Sequence, residues 1–168
     1  LPLRQASVVA KQAATLQTLS GGRIILGVGV GSHSGEYDEV GVDYHTRGRL
    51  LDAGIGELRR SWASGEGVAR GDTEAGGSAR YRQLPEPAAV PVWCGGSSEA
   101  ALHRAATLAD GWMPLFLDPT QYREAVERLA KEVASAGRPD GAVTPSIVLF
   151  VSVDDEPVSA RNRGTGWM

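Results

Sequence analysis

Apolar positions along the chain recur first at helical spacing, then as short unbroken runs, and the two patterns alternate. From Ser7 to Leu19, the positions Val9, Ala13, Leu16 and Leu19 predict an amphipathic helix with one apolar stripe. Ser20-Gly21-Gly22 stops it, as glycine past a last turn does. Ile24 to Val30 is an unbroken run of apolar residues and glycine, the pattern of a strand buried on both faces of a parallel sheet. A glycine-flanked loop from Gly31 to Tyr44 follows, with a short helical turn around Glu36 to Val40. Leu51, Ile55, Leu58 and Trp62, at spacings of 4, 3 and 4, define the next helix, with Thr46 as its expected N-cap.

Gly65 to Pro91 has no sustained period and reads as a long loop or insertion, with a short hairpin near Ala69 and Ala79 to Arg82. Val90 to Cys94 is a short apolar strand that runs into Gly95-Gly96-Ser97-Ser98. A helix over Glu99 to Ala109 should turn Leu102, Ala105 and Ala109 inward, and Gly111 to Pro114 is a very short strand. Asp118-Pro119 is a helix start, an acidic N-cap followed by proline at the first helical position. Its stripe is Tyr122, Val126, Leu129 and Val133, and Gly137 ends it. Ser146 to Val153, apolar and β-branched, predicts another buried strand. Strict alternation of helices with buried strands implies right-handed βαβ crossovers, an α/β fold and a parallel sheet.

Length and charge narrow the function classes. A chain of 168 residues suggests one domain with a genuine core. A net charge of −3 provides no electrostatic footprint for nucleic acid or an anionic membrane surface. One cysteine excludes an internal disulfide framework and a cysteine-based zinc site. No apolar run approaches the roughly 20 residues of a membrane span, and the first residues lack a signal-peptide pattern. A cytoplasmic location is expected. Because the chain does not begin with Met, its natural start is expected to lie upstream.

Two segments carry candidate chemistry. In Gly27-Val28-Gly29-Val30-Gly31, glycine lets a flat ligand or a phosphate approach the backbone at a strand end. It is not the dinucleotide fingerprint, since no helix opens directly after it. A tight strand end against a neighbouring helix accounts for these glycines equally well. Gly95-Gly96-Ser97-Ser98 before a helix offers backbone N–H groups, two hydroxyls and a positive helix dipole, a set suited to a phosphate. Its alternative reading is a serine that caps the helix. If the segment cradles an anion, Gly96→Val should block binding and leave the fold intact. Of the three histidines, His33 stands in the loop where a barrel enzyme keeps active-site groups and is the candidate catalytic side chain. His45 reads as structural, His103 as exposed and Cys94 as a small buried residue; no spacing suggests a metal site.

Several stretches together resemble the bacterial luciferase-like oxidoreductases. They are Leu1-Pro2-Leu3-Arg4, Ala10 to Leu16, Ser20 to Gly29, Arg47-Gly48 with Leu51-Asp52, Pro91 to Ser97, and Ala109 to Trp112. The resemblance implies a (β/α)8 TIM-type barrel whose members bind FMN or the deazaflavin coenzyme F-420. Such a barrel needs about 250 residues, so this chain is expected to be a fragment lacking N-terminal strands and a C-terminal strand. By the resemblance, Gly29, Val30 and Gly31 lie beside the flavin-type ring, and Gly95, Gly96, Ser97 and Ser98 lie near the cofactor phosphate. Ser32 departs from the family pattern, where Trp or Glu is common, so no acid is implied there. The expected activity is hydride transfer between coenzyme F-420 and a small organic substrate. The alternatives are an FMN-dependent monooxygenase fed by a flavin reductase, and a non-catalytic flavin-binding relative. The fragment alone is expected to be inactive, no nucleic-acid or membrane partner is expected, and a homodimer is left open.

Overall fold

The structure, a computed structural model, describes residues 1–64, 66–68, 80–82 and 89–165. Helix α1 (Ala6–Leu19) leads into strand β1 (Leu26–Val28), short helix α2 (Ser34–Glu39), a 3₁₀ turn (Tyr44–Thr46) and α3 (Arg47–Ser64). Strands β2 (Glu66–Val68) and β3 (Arg80–Arg82) form a separate antiparallel hairpin. Strand β4 (Val92–Gly95), α4 (Glu99–Leu108), β5 (Gly111–Met113), α5 (Pro119–Ser135), β6 (Thr144–Pro145) and α6 (Pro157–Thr165) complete the order. Ala69 and Ala79, where the hairpin was expected to extend, lie outside the described residues.

Strands β1, β4, β5 and β6 form one parallel sheet in chain order, as a partial (β/α)8 barrel requires. The register pairs Val28 with Cys94 and Cys94 with Trp112. These three side chains are buried in one core with Leu51, Ile55 and Leu58 of α3, Leu102 and Ala105 of α4, and Leu129 and Val133 of α5. The expected stripes of α3 and α4 thus face the sheet; on α5, Tyr122 and Val126 are half-buried and Ala125 joins the buried row. Asp118 caps α5 in a full capping box: its carboxylate accepts from Gln121 N–H at 2.9 Å, and Gln121 Oε1 accepts from Asp118 N–H at 3.0 Å.

Four expectations are corrected. On α1 the buried positions are Ala6, Ala10, Ala13, Ala14 and Gln17, whereas Leu16 is 52% and Leu19 79% exposed. Small side chains let α3 approach closely enough for Trp62 Nε1 to donate to the Ala10 carbonyl at 3.1 Å. Gln17 turns inward because its amide accepts from Ile24 N–H at 2.9 Å and donates to the Ala89 carbonyl at 3.4 Å. Strand β1 is shorter than Ile24 to Val30, and Ile25 and Gly27 are exposed, because helices cover only the face that carries Val28. Thr46 does not cap α3: a 3₁₀ turn runs straight into the helix, Asp43 caps that turn, and the Thr46 hydroxyl donates to the Asp43 carbonyl at 2.7 Å. Ser146 to Val153 is not a buried strand. Ser146 N–H and Val148 N–H still donate to the Trp112 and Pro114 carbonyls at 2.9 and 3.1 Å. Beyond them the neighbouring strand has ended, and Leu149, Phe150, Val151 and Val153 are exposed.

Candidate functional site

The C-terminal ends of the parallel strands bring the two glycine segments together. Since Val28 pairs with Cys94, Gly29 and Gly95 end their strands side by side. A Cβ at Gly95 would lie 3.7 Å from the Val28 carbonyl oxygen and 3.8 Å from that of Met113, so this glycine sits flat between two neighbouring strands. A Cβ at Gly29 would meet nothing within 4 Å, which leaves that backbone open to a flat ligand.

Gly96 is held from both sides. Its N–H donates to the Met113 carbonyl at 3.3 Å, and its carbonyl accepts from Trp112 Nε1 at 3.0 Å. Its φ is +117°, and a Cβ there would stand 3.0 Å from Ala101 Cβ. Gly96→Val is therefore strained whatever occupies the site, so a loss of stability is expected beside any loss of binding.

The two serines differ. Ser97 Oγ donates to the Leu115 carbonyl at 2.6 Å and accepts from Leu115 N–H at 3.2 Å, tying the end of β4 to the segment after β5. Ser98 caps α4 by accepting from Ala101 N–H at 3.2 Å. An oxygen that accepts in a cap keeps its own proton, so the Ser98 hydroxyl can still donate to an anion. The first N–H groups of a helix have no partner inside it, and the dipole favours a negative charge there. Glu99 pairs with Arg128 of α5, which offsets its charge at the helix start.

At the end of β1, the chain turns through Gly31 with φ of +78°. Tyr37, fully buried on α2, donates its phenol O–H to the Val30 carbonyl. Burial pushes that phenol above its ordinary value, against the smaller opposing pull of the Arg47 guanidinium, so it stays protonated and donating at neutral pH. Tyr44 O–H donates to the Ser32 carbonyl at 3.2 Å, its ring meets Tyr37 edge-on at 5.3 Å, and Arg47 lies over it at 3.8 Å.

His33 stands exposed just before α2, and its side chain caps nothing. Among the described residues no hydrogen bond or ion pair joins its imidazole to Gly95, Gly96, Ser97 or Ser98. Cys94 is buried, and desolvation raises its thiol to about 11, so it is no nucleophile at neutral pH. His103, exposed as expected, meets Glu132 at 2.8 Å. Sequence reasoning missed Tyr37, Tyr44 and Trp112, whose roles come from bonds to backbone carbonyls that no spacing announces.

The opposite end of the sheet is a structural anchor. Asp110 Oδ2 accepts from Arg59 Nη2 at 2.7 Å and from Val92 N–H at 2.8 Å. Toward the start of α3, Arg104, 9% exposed, pairs with Asp52 and donates to the Gly48 carbonyl at 3.4 Å. Gly48, Asp52 and Asp110 are thus scaffold residues.

Residues 1–164 match the family model described as luciferase-like monooxygenase. The chain belongs to that family. A relative, an uncharacterised protein of Mycobacterium tuberculosis, is 32% identical over 164 residues, 97% of this chain and 54% of its own length. The phthiodiolone/phenolphthiodiolone dimycocerosates ketoreductase of Mycobacterium tuberculosis is 29% identical, over 95% of this chain and 41% of its own. The chain therefore spans about half the length of the curated relatives it matches. Among solved luciferase-like structures, an F-420-dependent secondary alcohol dehydrogenase with an F-420-acetone adduct superposes with a TM-score of 0.78 at 19% identity, over 94% of this chain and 49% of that one. The oxygenating constituent of a Baeyer–Villiger monooxygenase from Pseudomonas putida, in complex with FMN, superposes with a TM-score of 0.67 at 15% identity, over 92% of this chain and 47% of that one. At 19% and 15% identity these two structures show a shared fold; the F-420 and the FMN are theirs. No helix among the described residues is long and apolar enough to cross a membrane.

Proposed function

We propose that this chain carries the cofactor-binding strand ends of an F-420-dependent oxidoreductase that exchanges hydride with a small organic substrate. The observation that carries the reading is the placement of Gly29, just past the end of β1, beside Gly95 at the end of β4, next to the capped start of α4. The open backbone at Gly29, leading into Val30 and Gly31, suits one face of a flat ring. The N–H groups after Gly96, with the Ser98 hydroxyl, suit a phosphate. When bound, the deazaflavin supplies the hydride chemistry; the residues of this chain bind and orient it. A carbonyl compound or its secondary alcohol is the substrate class, a choice supported by the ketoreductase relative at 29% identity.

Titrating the complete protein with F-420 and with FMN, followed by absorbance and fluorescence, tests the reading. F-420 binding together with reduction of a ketone is the expected result. Tight FMN binding without an F-420 response would replace it with a flavin monooxygenase. Binding of neither would point to a relative that kept the fold and lost the chemistry.

A further inference from the structure

Tyr37 and Tyr44 grip two carbonyls, those of Val30 and Ser32, on either side of Gly31. Both phenols come from beyond the loop, and the two rings brace each other edge-on at 5.3 Å. Gly31 takes a φ of +78°, and a Cβ there would lie 3.6 Å from the Tyr37 ring, so loop and ring are in contact. A trans peptide sets its C=O and N–H on opposite sides. Drawing the Val30 carbonyl toward Tyr37 therefore turns the Gly31 N–H away from the tyrosines. Among the described residues that N–H donates to no backbone carbonyl.

We infer that Tyr37 is a positioning residue of the candidate site: through the Val30 carbonyl it aims the Gly31 N–H at an acceptor oxygen on the cofactor ring. The inference rests on the cofactor reading above. Tyr44 has the supporting role of fixing the Ser32–His33 peptide, which anchors the chain beyond Gly31. The ligand chemistry recognised is a ring carbonyl, and the phosphate at α4 is held separately.

The test compares wild type, Tyr37→Phe and Val133→Ala in the full-length protein. Tyr37→Phe keeps the buried ring and removes only the O–H. Val133→Ala trims the α5 core away from the site and serves as a destabilised control. Each is titrated with F-420 and with FMN, and amide exchange at Gly31 is measured with and without cofactor. Tyr37→Phe should weaken binding of whichever cofactor the wild type takes by roughly five- to tenfold. It should also shift the absorption band of the bound cofactor and reduce the slowing of Gly31 exchange that the cofactor produces in wild type. Val133→Ala should lower the melting temperature without moving the band. Wild-type affinity and an unshifted band in Tyr37→Phe would overturn the positioning role alone. A wild type that binds neither cofactor would overturn the proposed function, and this role with it.

Discussion

The Trp93 indole fills the space over Gly111: a Cβ at position 111 would stand 2.5 Å from Trp93 Cδ1 and Nε1. The two residues pair across β4 and β5, on the face of the sheet opposite Val92, Cys94 and Trp112. Gly111→Ala must displace the indole, and overpacking of this kind costs about 1–3 kcal/mol. The expected outcome is a lowered denaturation midpoint that Trp93→Val largely restores in the double variant. Equal losses in the Gly111→Ala and double variants would mean that the loss does not come from the indole.

Arg104 is nearly buried against Asp52 and the Gly48 carbonyl. Asp52→Ala leaves the guanidinium without its charge partner. Because the Asp52 side chain is itself 45% exposed, the loss should fall below the 3–5 kcal/mol of a fully buried pair, at about 1–3 kcal/mol. Arg104→Met, which fills the space without a charge, should cost less than Asp52→Ala. Urea denaturation of both variants checks the order.

Ser98 separates a helix cap from an anion site. Aspartate is as good an N-cap as serine but puts a negative charge where a phosphate would sit. Ser98→Asp should hold stability within about 0.5 kcal/mol and weaken cofactor binding more than tenfold. Ser97→Ala should do the reverse, lowering stability by about 1 kcal/mol through the two lost Leu115 bonds, with a smaller effect on binding. Unchanged affinity in Ser98→Asp would remove this segment from the cofactor site.

The Cys94 thiol has a folded value of about 11 against an ordinary 9.0, because burial disfavours the thiolate. Folding therefore favours the protonated form. That contribution is fully present below pH 9 and is lost as pH rises toward 11. Stability of the wild type should fall across this window more steeply than that of Cys94→Ser. Alkylation at pH 8 should be slow in the folded protein and fast in denaturant; rapid alkylation of the folded protein would show that the thiol is reachable.

The helices were legible where one strong signal set them. Asp118-Pro119 and Gly137 bracket α5, and the stripe Leu51, Ile55, Leu58 and Trp62 faces the core as its spacing implies. Helix α1 was legible as a helix but not in its orientation. Its buried face is alanine plus Gln17, and apolar spacing alone favoured Leu16 and Leu19. The segment after Ser146 was over-read as a strand because β-branched composition cannot show where the neighbouring strand ends.

Alternation of period along the chain, with glycine at the strand ends, was enough by itself to determine a parallel α/β sheet and to mark both glycine segments. Those are local matters, decided by side-chain spacing and by which residues tolerate close approach. Only the tertiary structure decided what each polar group in the segments is bonded to. It spends both sides of the Ser97 hydroxyl on Leu115 and makes Gly96 a strained backbone position. It also brings Tyr37 and Trp112 onto the Val30 and Gly96 carbonyls. Such bonds join a side chain to backbone brought near by the fold, and backbone carbonyls are the same at every position, so nothing in the order of residues distinguishes the ones that are gripped.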